Sequence, residues 1–268
     1  MIGAITGDIV GSIYEFDNIK TKTFELFDKE CLFTDDSVMT IAVADTLMQY
    51  ENICAKNAEA FKADLIKTMH RIGCKYPDCG YGGRFLVWML RNQTTPYNSF
   101  GNGSAMRVSA VGWYANTLED AEFIAKLTAE VTHDHPEGIK GAVATAGAVF
   151  LARTGATMVE IQNYIAKYYT IDFTIDEIRP LYDYDITCQG TVPQAMQAFF
   201  ESSDFEDAIR NAISIGGDSD TLAAITGAVA EAFYGIPDDI QETALSYLDE
   251  RLLTITERFE NAFLPKFF

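Results

Sequence analysis

Two acidic turns, far apart in the chain, carry residue types that bind hard metal ions. One reads GGDSDT at 216–221, and the other reads TDDS at 34–37. In each turn, two carboxylates and hydroxyl groups stand directly before an apolar run with helical spacing. Carboxylate and hydroxyl oxygens are the ligands that suit Mg²⁺ and Mn²⁺ in proteins. We therefore expect the two turns to meet in the fold and to form one metal site.

Helix geometry limits how the acids of the first turn can be used. Adjacent residues on a helix point about 100° apart, so Asp35 and Asp36 cannot both face one ion as a simple pair. They could serve two ions, or one of them could reach its ion through water. Helix capping is the simpler explanation, with Asp36 or Ser37 capping one helix and Asp218 or Ser219 the other. Either turn alone fits capping equally well, whereas the two turns together favour metal binding.

The elements that position these turns are predicted to be helical. Apolar residues recur at helical spacing along the chain, and period-2 alternation is almost absent. The predicted helices are 38–50, 58–72, 84–91, 118–131, 139–153, 157–168, 193–201, 204–213, 221–234 and 240–259. Residues 17–31 and 169–190 are predicted to be irregular. We therefore predict an all-α protein, one domain over residues 1–268, with the informative loops at one end of a helical bundle.

The N-terminal segment carries a ridge of glycines and two acids. Gly3, Gly7 and Gly11 lie four apart, so a helix would bring them together on one face. Each glycine costs a helix about 0.5–1 kcal/mol, so three of them indicate close packing against another helix. Asp8 and Glu15 lie two helical turns apart on one face. Glu15 could serve the site or could simply be a solvated surface acid.

Glycine loops and a histidine pair suggest where a ligand would bind. The loops are GYGG at 80–83 and NSFGNGS at 98–104, the second running into an apolar segment. A glycine loop that opens a helix can bind phosphate, although many tight turns look alike. His133 and His135 precede a helix that Pro136 would open, so one could contact a ligand and the other could be structural. A zinc site lacks a third ligand at a usual spacing.

Composition excludes several classes of protein. The chain has 268 residues, a net charge of −19 and 48% hydrophobic residues, which is ample for a core. A strongly acidic surface is unsuited to duplex nucleic acid. No apolar run approaches the roughly 20 residues of a membrane span. The first residues lack the basic segment that opens a signal peptide, so none is expected. Five scattered cysteines indicate free thiols and a reducing, cytoplasmic location.

Five segments, taken together, resemble a known family. They are GDIVGSIYE at 7–15, FTDDSVM at 33–39, GYGG at 80–83 with FGNGSAMR at 100–107, THDHPEG at 132–138, and GGDSDTLAAITGAVAEAFYG at 216–235. In this order and combination they resemble the ADP-ribosylglycohydrolases, also called the ADP-ribosylhydrolase or dinitrogenase-reductase-activating glycohydrolase-like family. The resemblance spans nearly the whole chain.

This resemblance implies an orthogonal all-α domain with two Mg²⁺ or Mn²⁺ ions in a cleft at one end. The implied metal ligands are Thr34, Asp35, Asp36, Asp218, Asp220 and Thr221. Asp220 would be shared between the two ions, and Glu15 matches an acidic residue implicated in catalysis. The implied substrate contacts are Gly82, Ser99, Phe100, Gly101, Asn102 and His133. Ser37 and Ser219 stand where many relatives have threonine, which removes no ligand.

The implied reaction is hydrolysis of the bond between C1″ of ADP-ribose and a side-chain nitrogen or oxygen. Our hypothesis is that metal-bound water attacks C1″, with Glu15 or a metal-bound aspartate, Asp35 or Asp220, acting as acid or base. Nearby carboxylates would stabilise the positive charge that develops on the sugar. The expected partners are ADP-ribosylated proteins or small conjugates, and we expect a monomer. Residues 169–190 match no segment of the family, so the resemblance does not identify the leaving group.

Two other functions compete with this interpretation. The DSDT motif is similar to the nucleophile motif of haloacid-dehalogenase-like phosphatases, but that motif follows an apolar strand near the N-terminus of an α/β fold. Here it follows two glycines among helices near the C-terminus. The second alternative is a non-catalytic relative, either an ADP-ribose-binding module or a crystallin-like structural protein. The intact aspartates and threonines, together with Glu15, argue against a loss of activity.

Overall fold

The computed structural model of this chain describes residues 1–263, which contain α-helices, one 3₁₀ turn and no β-strand. The helices are α1 Ile2–Gly11, α2 Asp35–Leu47, α3 Ala58–Gly73, α4 Gly83–Leu90, α5 Gly103–Met106, α6 Ser109–Tyr114, α7 Leu118–Glu130, α8 Pro136–Arg153, α9 Met158–Ile165, α10 Ile175–Ile178, α11 Cys188–Phe200, α12 Phe205–Ile215, α13 Ser219–Tyr234, α14 Asp238–Ser246 and α15 Glu250–Phe263. The prediction of an all-α protein is confirmed.

Helices α1 and α13 pack with their backbones in contact along the predicted glycine ridge. A Cβ added at Gly7 would lie 2.0 Å from the carbonyl oxygen of Ala223, and one at Gly11 would lie 2.5 Å from Cα of Asp220. Any side chain at these positions would therefore push the two helices apart. The close packing inferred from the sequence is confirmed, and it places Asp8 of α1 beside the start of α13.

Helix α13 is buried along nearly its whole length, from Ser219 to Glu231. Helices α1, α8, α11 and α12 surround it, and α2 packs against α1, α3, α6 and α15. At the far end of α13, the Glu231 carboxylate accepts the N–H groups of Ile2 and Gly3 at 3.2 and 2.9 Å. Two of the unpaired N–H groups that open α1 are thereby satisfied from α13. This bond fixes α1 along α13 as well as against it.

The C-terminal helix predicted at 240–259 is wrong, because the structure divides it into α14 and α15. Asp249 caps the second helix, its Oδ1 accepting the N–H of Leu252 at 2.9 Å. The apolar period continues across the break, since Leu248 is buried between the two helices. A capping aspartate between buried leucines therefore interrupts the backbone without interrupting the hydrophobic pattern.

The helix predicted to begin at Pro193 instead begins at Cys188. Thr187 caps it, its hydroxyl accepting the N–H of Gly190 at 3.1 Å. Pro193 therefore lies inside α11 rather than in its first turn, and it forgoes one backbone hydrogen bond there. The irregular region 169–190 also contains the short helix α10. The last part of this region before α11, residues 182–187, runs to the end of the bundle where the acidic turns lie.

No helix among residues 1–263 is long and apolar enough to cross a membrane. All five cysteines are free thiols, as their odd number and scattered positions predict.

Candidate active site

The two acidic turns meet at a cleft of about 300 Å³. Its floor is the start of α2 and the start of α13, and its walls are the loops that lead into α4 and α5. Residues 182–187 lie across one side. The lining residues that the sequence singled out are Glu15, Gly82, Asp35, Asp36, Ser99, Gly101, Asn102, His133, Asp218, Asp220 and Thr221. The structure thus brings six separate parts of the chain to one place.

Thr34 is the N-cap of α2, and a buried acid holds it in position. Its Oγ1 accepts the N–H of Asp36 at 3.3 Å and donates to Oδ1 of Asp8 at 2.5 Å. Asp8 also accepts the N–H groups of Thr34 and Ser37 at 2.9 and 3.0 Å, and the Ser37 hydroxyl. Asp35, Asp36 and Ser37 lie inside the helix, so capping by Asp36 or Ser37 does not explain this turn.

Asp8 is a buried acid at this site for which the sequence predicted no role. Its side chain is fully buried within α1, although the sequence marked it only as lying seven residues before Glu15. The available signal was its isolation, because Asp8 is the one charged residue in a helix otherwise made of apolar and small residues. A lone acid in such a helix must find buried partners.

The turn before α13 depends on two glycines with positive φ, +74° at Gly216 and +75° at Gly217. A residue with a Cβ rarely adopts this conformation. Asn18 holds the turn from outside, donating to the Gly217 carbonyl at 2.9 Å and accepting its N–H at 2.6 Å. Asp218 follows at the N-cap position of α13 but makes no side-chain capping bond. Its carboxylate instead accepts Nδ2 of Asn102 at 2.6 Å, from the glycine loop.

The carboxylates form two overlapping groups. Asp8, Asp36 and Asp220 offer oxygens within 4.8 Å of one another, and so do Glu15, Asp218 and Asp220. Asp220 belongs to both groups. The Thr221 hydroxyl donates to Oδ2 of Asp36 at 3.1 Å and links the two turns, while Oδ1 of Asp36 is buried without any hydrogen-bond partner. Either group could hold a metal ion.

Asp35 lies apart from both groups, although it lines the same cleft. Its backbone N–H donates to the Cys79 carbonyl at 2.7 Å, which ties the start of α2 to the glycine loop at 80–83. Its Oδ1 lies near Gly80, where an added Cβ would be 3.3 Å away. The divergence expected of adjacent helical residues is therefore seen, with Asp35 and Asp36 facing different sides.

The electrostatics of the cleft are unfavourable for the chain alone. Burial, the largest cause, raises the pKa of six carboxyl groups, to about 6 for Asp8 and about 7 for Glu15. Repulsion from neighbouring acids raises most of these pKa values further. No lysine, arginine or histidine among the described residues forms an ion pair with any of them. Buried charges of one sign need a counter-charge, which a bound cation would supply.

Two predicted residues do not line the cleft. Phe100 turns outward, 43% exposed, with its ring 5.2 Å from that of His135. Thr34 lies beneath the acids, hydrogen-bonded to Asp8.

The helix that the second glycine loop opens, α5, is only four residues long. An anion at this loop would therefore not meet the dipole of a long helix.

His133 is buried and hydrogen-bonded through Thr132 to Arg107. Arg107 donates to the Thr132 hydroxyl at 2.8 Å, and that hydroxyl lies 2.7 Å from Nδ1 of His133. The hydroxyl can donate its proton to Nδ1, and in that tautomer Nε2 carries the ring proton beside the loop at 98–104. Burial, together with the charges of Arg107 and Arg84, holds the pKa of His133 well below its usual value. The ring offers a neutral N–H donor to a ligand. His135, by contrast, caps α8.

Tyr184 and Ile186 also line the cleft, and the sequence analysis assigned neither. Both belong to residues 182–187, which have no periodic pattern that could have placed them.

The all-α fold brings two acidic helix starts together in one cleft, and comparison with known proteins identifies the family. The ADP-ribosylglycohydrolase family profile matches residues 1–266, so the chain belongs to that family. It is 26% identical to human ADP-ribosylhydrolase ARH3, over 94% of this chain and 90% of that protein. It is therefore an enzyme of the glycosidase class that hydrolyses ADP-ribosyl bonds.

Other relatives extend the comparison. ADP-ribosylarginine hydrolase Tri1 of Pseudomonas putida is 25% identical, over 94% of this chain and 75% of that protein. A solved structure described as an ADP-ribosylglycohydrolase-related protein complex superposes with a TM-score of 0.68 at 22% identity, covering 97% of this chain and 96% of that one. At this identity, the solved structure supports the fold alone.

Neutralising one buried acid should stabilise the metal-free protein. The pKa of Asp36 is raised in the folded state, so the folded protein keeps this proton to higher pH than the unfolded protein does. Asp36 therefore destabilises the fold as the pH rises above the pKa that the group has in the unfolded chain. In EDTA at pH 7.5, Asp36→Asn should therefore raise the Tm by about 2–4 °C per kcal/mol regained. At pH 4 the difference should nearly vanish. Thermal unfolding followed by circular dichroism measures both.

Asp172→Asn, at an exposed loop position, is the control and should change the Tm at neither pH. A lower Tm for Asp36→Asn than for wild type in EDTA at pH 7.5 would show that the Asp36 charge is already compensated within the chain.

Proposed function

We propose that this enzyme releases ADP-ribose from a modified side chain by hydrolysis at C1″, using two divalent cations, Mg²⁺ or Mn²⁺, in the cleft. The observation that supports this most strongly is the set of six carboxyl groups, four buried and two half-buried, that no cationic side chain among residues 1–263 neutralises. The proposed metal ligands are Thr34, Asp35, Asp36, Asp218, Asp220 and Thr221. Asp220 would serve both ions, because its carboxylate belongs to both groups of oxygens.

The residues present fit hard cations. Oδ1 of Asp36 is buried and accepts no hydrogen bond, which leaves a lone pair free for a ligand bond. The donor set is made of carboxylate and hydroxyl oxygens only, as Mg²⁺ and Mn²⁺ prefer. When bound, such ions supply Lewis acidity, which would orient the ribose hydroxyls and lower the pKa of a nearby water.

We propose Glu15 as the group that exchanges a proton with the attacking water. It lines the cleft, and burial raises its pKa to about 7, with the charges of Asp218 and Asp8 adding to the rise. From this position in the cleft, the carboxyl group can take a proton from the attacking water. Its Oε1 accepts a hydrogen bond from Tyr184, which leaves Oε2 for this role. Asp35 and Asp220 would stabilise positive charge on the ribose as the bond breaks.

We propose that the ADP part of the substrate lies along the loop from Ser99 to Asn102. The Nε2–H of His133 would donate to a phosphate or ribose oxygen, and the backbone at Gly82 would lie beside the ribose. Phe100 would present its exposed ring to the adenine at the rim of the cleft. Substrates of this kind are ADP-ribosylated proteins or small conjugates, and we propose that a cytoplasmic monomer acts on them.

Removing two acids of the α13 turn should abolish activity and leave the fold in place. Wild type should release ADP-ribose from at least one of arginine-, serine- and nucleobase-linked conjugates, poly-ADP-ribose and O-acetyl-ADP-ribose. Release should require Mg²⁺ or Mn²⁺ and stop with EDTA. Asp218→Ala combined with Asp220→Ala should lower kcat/KM by at least about 10³-fold, because the metal ligands are lost. Chromatography of released ADP-ribose and circular dichroism measure activity and fold.

Asp238→Ala combined with Asp239→Ala is the matched control, because it removes two exposed acids from the first turn of α14. Full activity in the Asp218/Asp220 variant would refute the site. Binding of ADP-ribose without release from any conjugate would instead favour a non-catalytic family member.

Glu15 should affect turnover far more than binding. Glu15→Ala removes the proton-exchanging group but no proposed metal ligand, so kcat should fall by about 10²–10⁴-fold. The Kd for ADP-ribose should change by less than about threefold, since the product no longer needs a proton transfer. Steady-state kinetics and calorimetry measure the two effects. A variant that loses affinity while keeping its kcat would make Glu15 a binding residue.

A further inference from the structure

Residues 182–187 are fixed along one side of the cleft by backbone hydrogen bonds. The N–H of Asn102 donates to the Ile186 carbonyl at 2.8 Å, and the N–H of Cys188 donates to the Phe100 carbonyl at 2.9 Å. Gly101 and Thr187 thus form an isolated antiparallel bridge. At the other end, the Tyr182 hydroxyl donates to the Gly190 carbonyl at 2.7 Å. The segment is therefore attached to the same glycine loop that lines the cleft.

Tyr184 projects from this segment toward Glu15. Its hydroxyl donates to Oε1 of Glu15 at 2.9 Å. Its ring stacks on that of Phe16, with centroids 6.3 Å apart and planes 27° apart. Phe16 is 86% exposed, so its ring contributes little to the core, and its aromatic contact is with Tyr184. Since Phe16 follows Glu15 in the chain, Tyr184 contacts both the carboxylate and the residue beside it.

Glu15 has little other support for its side chain. It follows the 3₁₀ turn Ser12–Tyr14 rather than lying in a helix, and its backbone carbonyl accepts Nδ2 of Asn18 at 3.0 Å. The nearest charged groups to its carboxylate are Asp218 and Asp220, whose oxygens lie within 4.8 Å and repel it. The Tyr184 hydroxyl is the one side-chain donor to the Glu15 carboxylate among the described residues.

We propose that Tyr184 is a positioning residue, whose hydroxyl holds the Glu15 carboxylate over the cleft against repulsion by the acids, while Phe16 holds the ring of Tyr184. This inference rests on the function proposed above. It gives a role to the irregular region 169–190, which otherwise carries no assigned residue. Tyr184 acts on the reaction through Glu15, so its loss should change turnover and leave substrate binding intact.

Tyr184→Phe tests this role because it removes the hydroxyl and keeps the ring. The kcat should fall about tenfold, the expected effect of one lost hydrogen bond to a charged group. KM and the Kd for ADP-ribose should stay within about twofold of wild type. Tyr234→Phe is the matched control, since it removes a hydroxyl bonded to the Ser202 carbonyl at 2.7 Å, away from the cleft. It should change none of these constants.

Two further variants separate positioning from a general structural effect. In a Glu15→Gln background, Tyr184→Phe should lower the residual kcat by less than about twofold, because the two residues act as one unit. Phe16→Ala should lower kcat, as Tyr184→Phe does. Phe16→Tyr, which keeps an aromatic ring at this position, should have the kcat of wild type. Hydrogen exchange at the amides of residues 13–17 should be faster in Tyr184→Phe than in wild type or Tyr234→Phe.

The outcomes distinguish this inference from the proposed function. Equal losses in the wild-type and Glu15→Gln backgrounds, or a raised KM with unchanged kcat, would overturn positioning and make Tyr184 structural or substrate-binding. If wild type releases no ADP-ribose, the proposed function fails by itself. Hydrogen exchange then still decides the Tyr184 role, because unchanged exchange at residues 13–17 would refute it without any activity measurement.

Discussion

Six carboxyl groups share one cleft, four of them buried and two half-buried, and no cationic side chain among the described residues neutralises them; this is the constraint on which the structure depends. Like charges removed from water repel strongly, so the fold tolerates them only through the packing that holds them in place. That packing is the backbone contact between α1 and α13, where Gly7 and Gly11 leave no room for a side chain. The contact sets Asp8 beside Asp220, and Asp8 in turn fixes the first turn of α2.

Much of this arrangement could be predicted from local patterns. The glycine ridge indicated a close helix contact, and the two acidic turns indicated a shared site because each combines carboxylates with a hydroxyl. Family resemblance added the expected ligands and substrate contacts, which stay predictions for each residue. The role of Asp8 was not predicted, because a single acid in a helix forms no recognisable pattern. Its importance appears only when the start of α2 folds over it and uses every one of its oxygens.

Two features of the structure could not be predicted from the sequence, for different reasons. Tyr184 reaches Glu15 across 169 positions of chain, from a segment with no period and no helix. The break between α14 and α15 was hidden for a different reason, since the buried leucine at 248 continues the apolar spacing through a non-helical residue. Hydrophobic periodicity records which side of a segment is buried, but it does not record backbone interruptions or which distant loop meets which side chain.

Anomalous X-ray scattering from crystals soaked in Mn²⁺ tests the central claim most directly, because it locates the cations independently of activity. Two Mn²⁺ peaks are expected at the starts of α2 and α13, with the carboxylate of Asp220 bound to both. Crystals in which the cleft holds no Mn²⁺, or in which Asp220 binds no shared cation and lies far from Asp36, would contradict it.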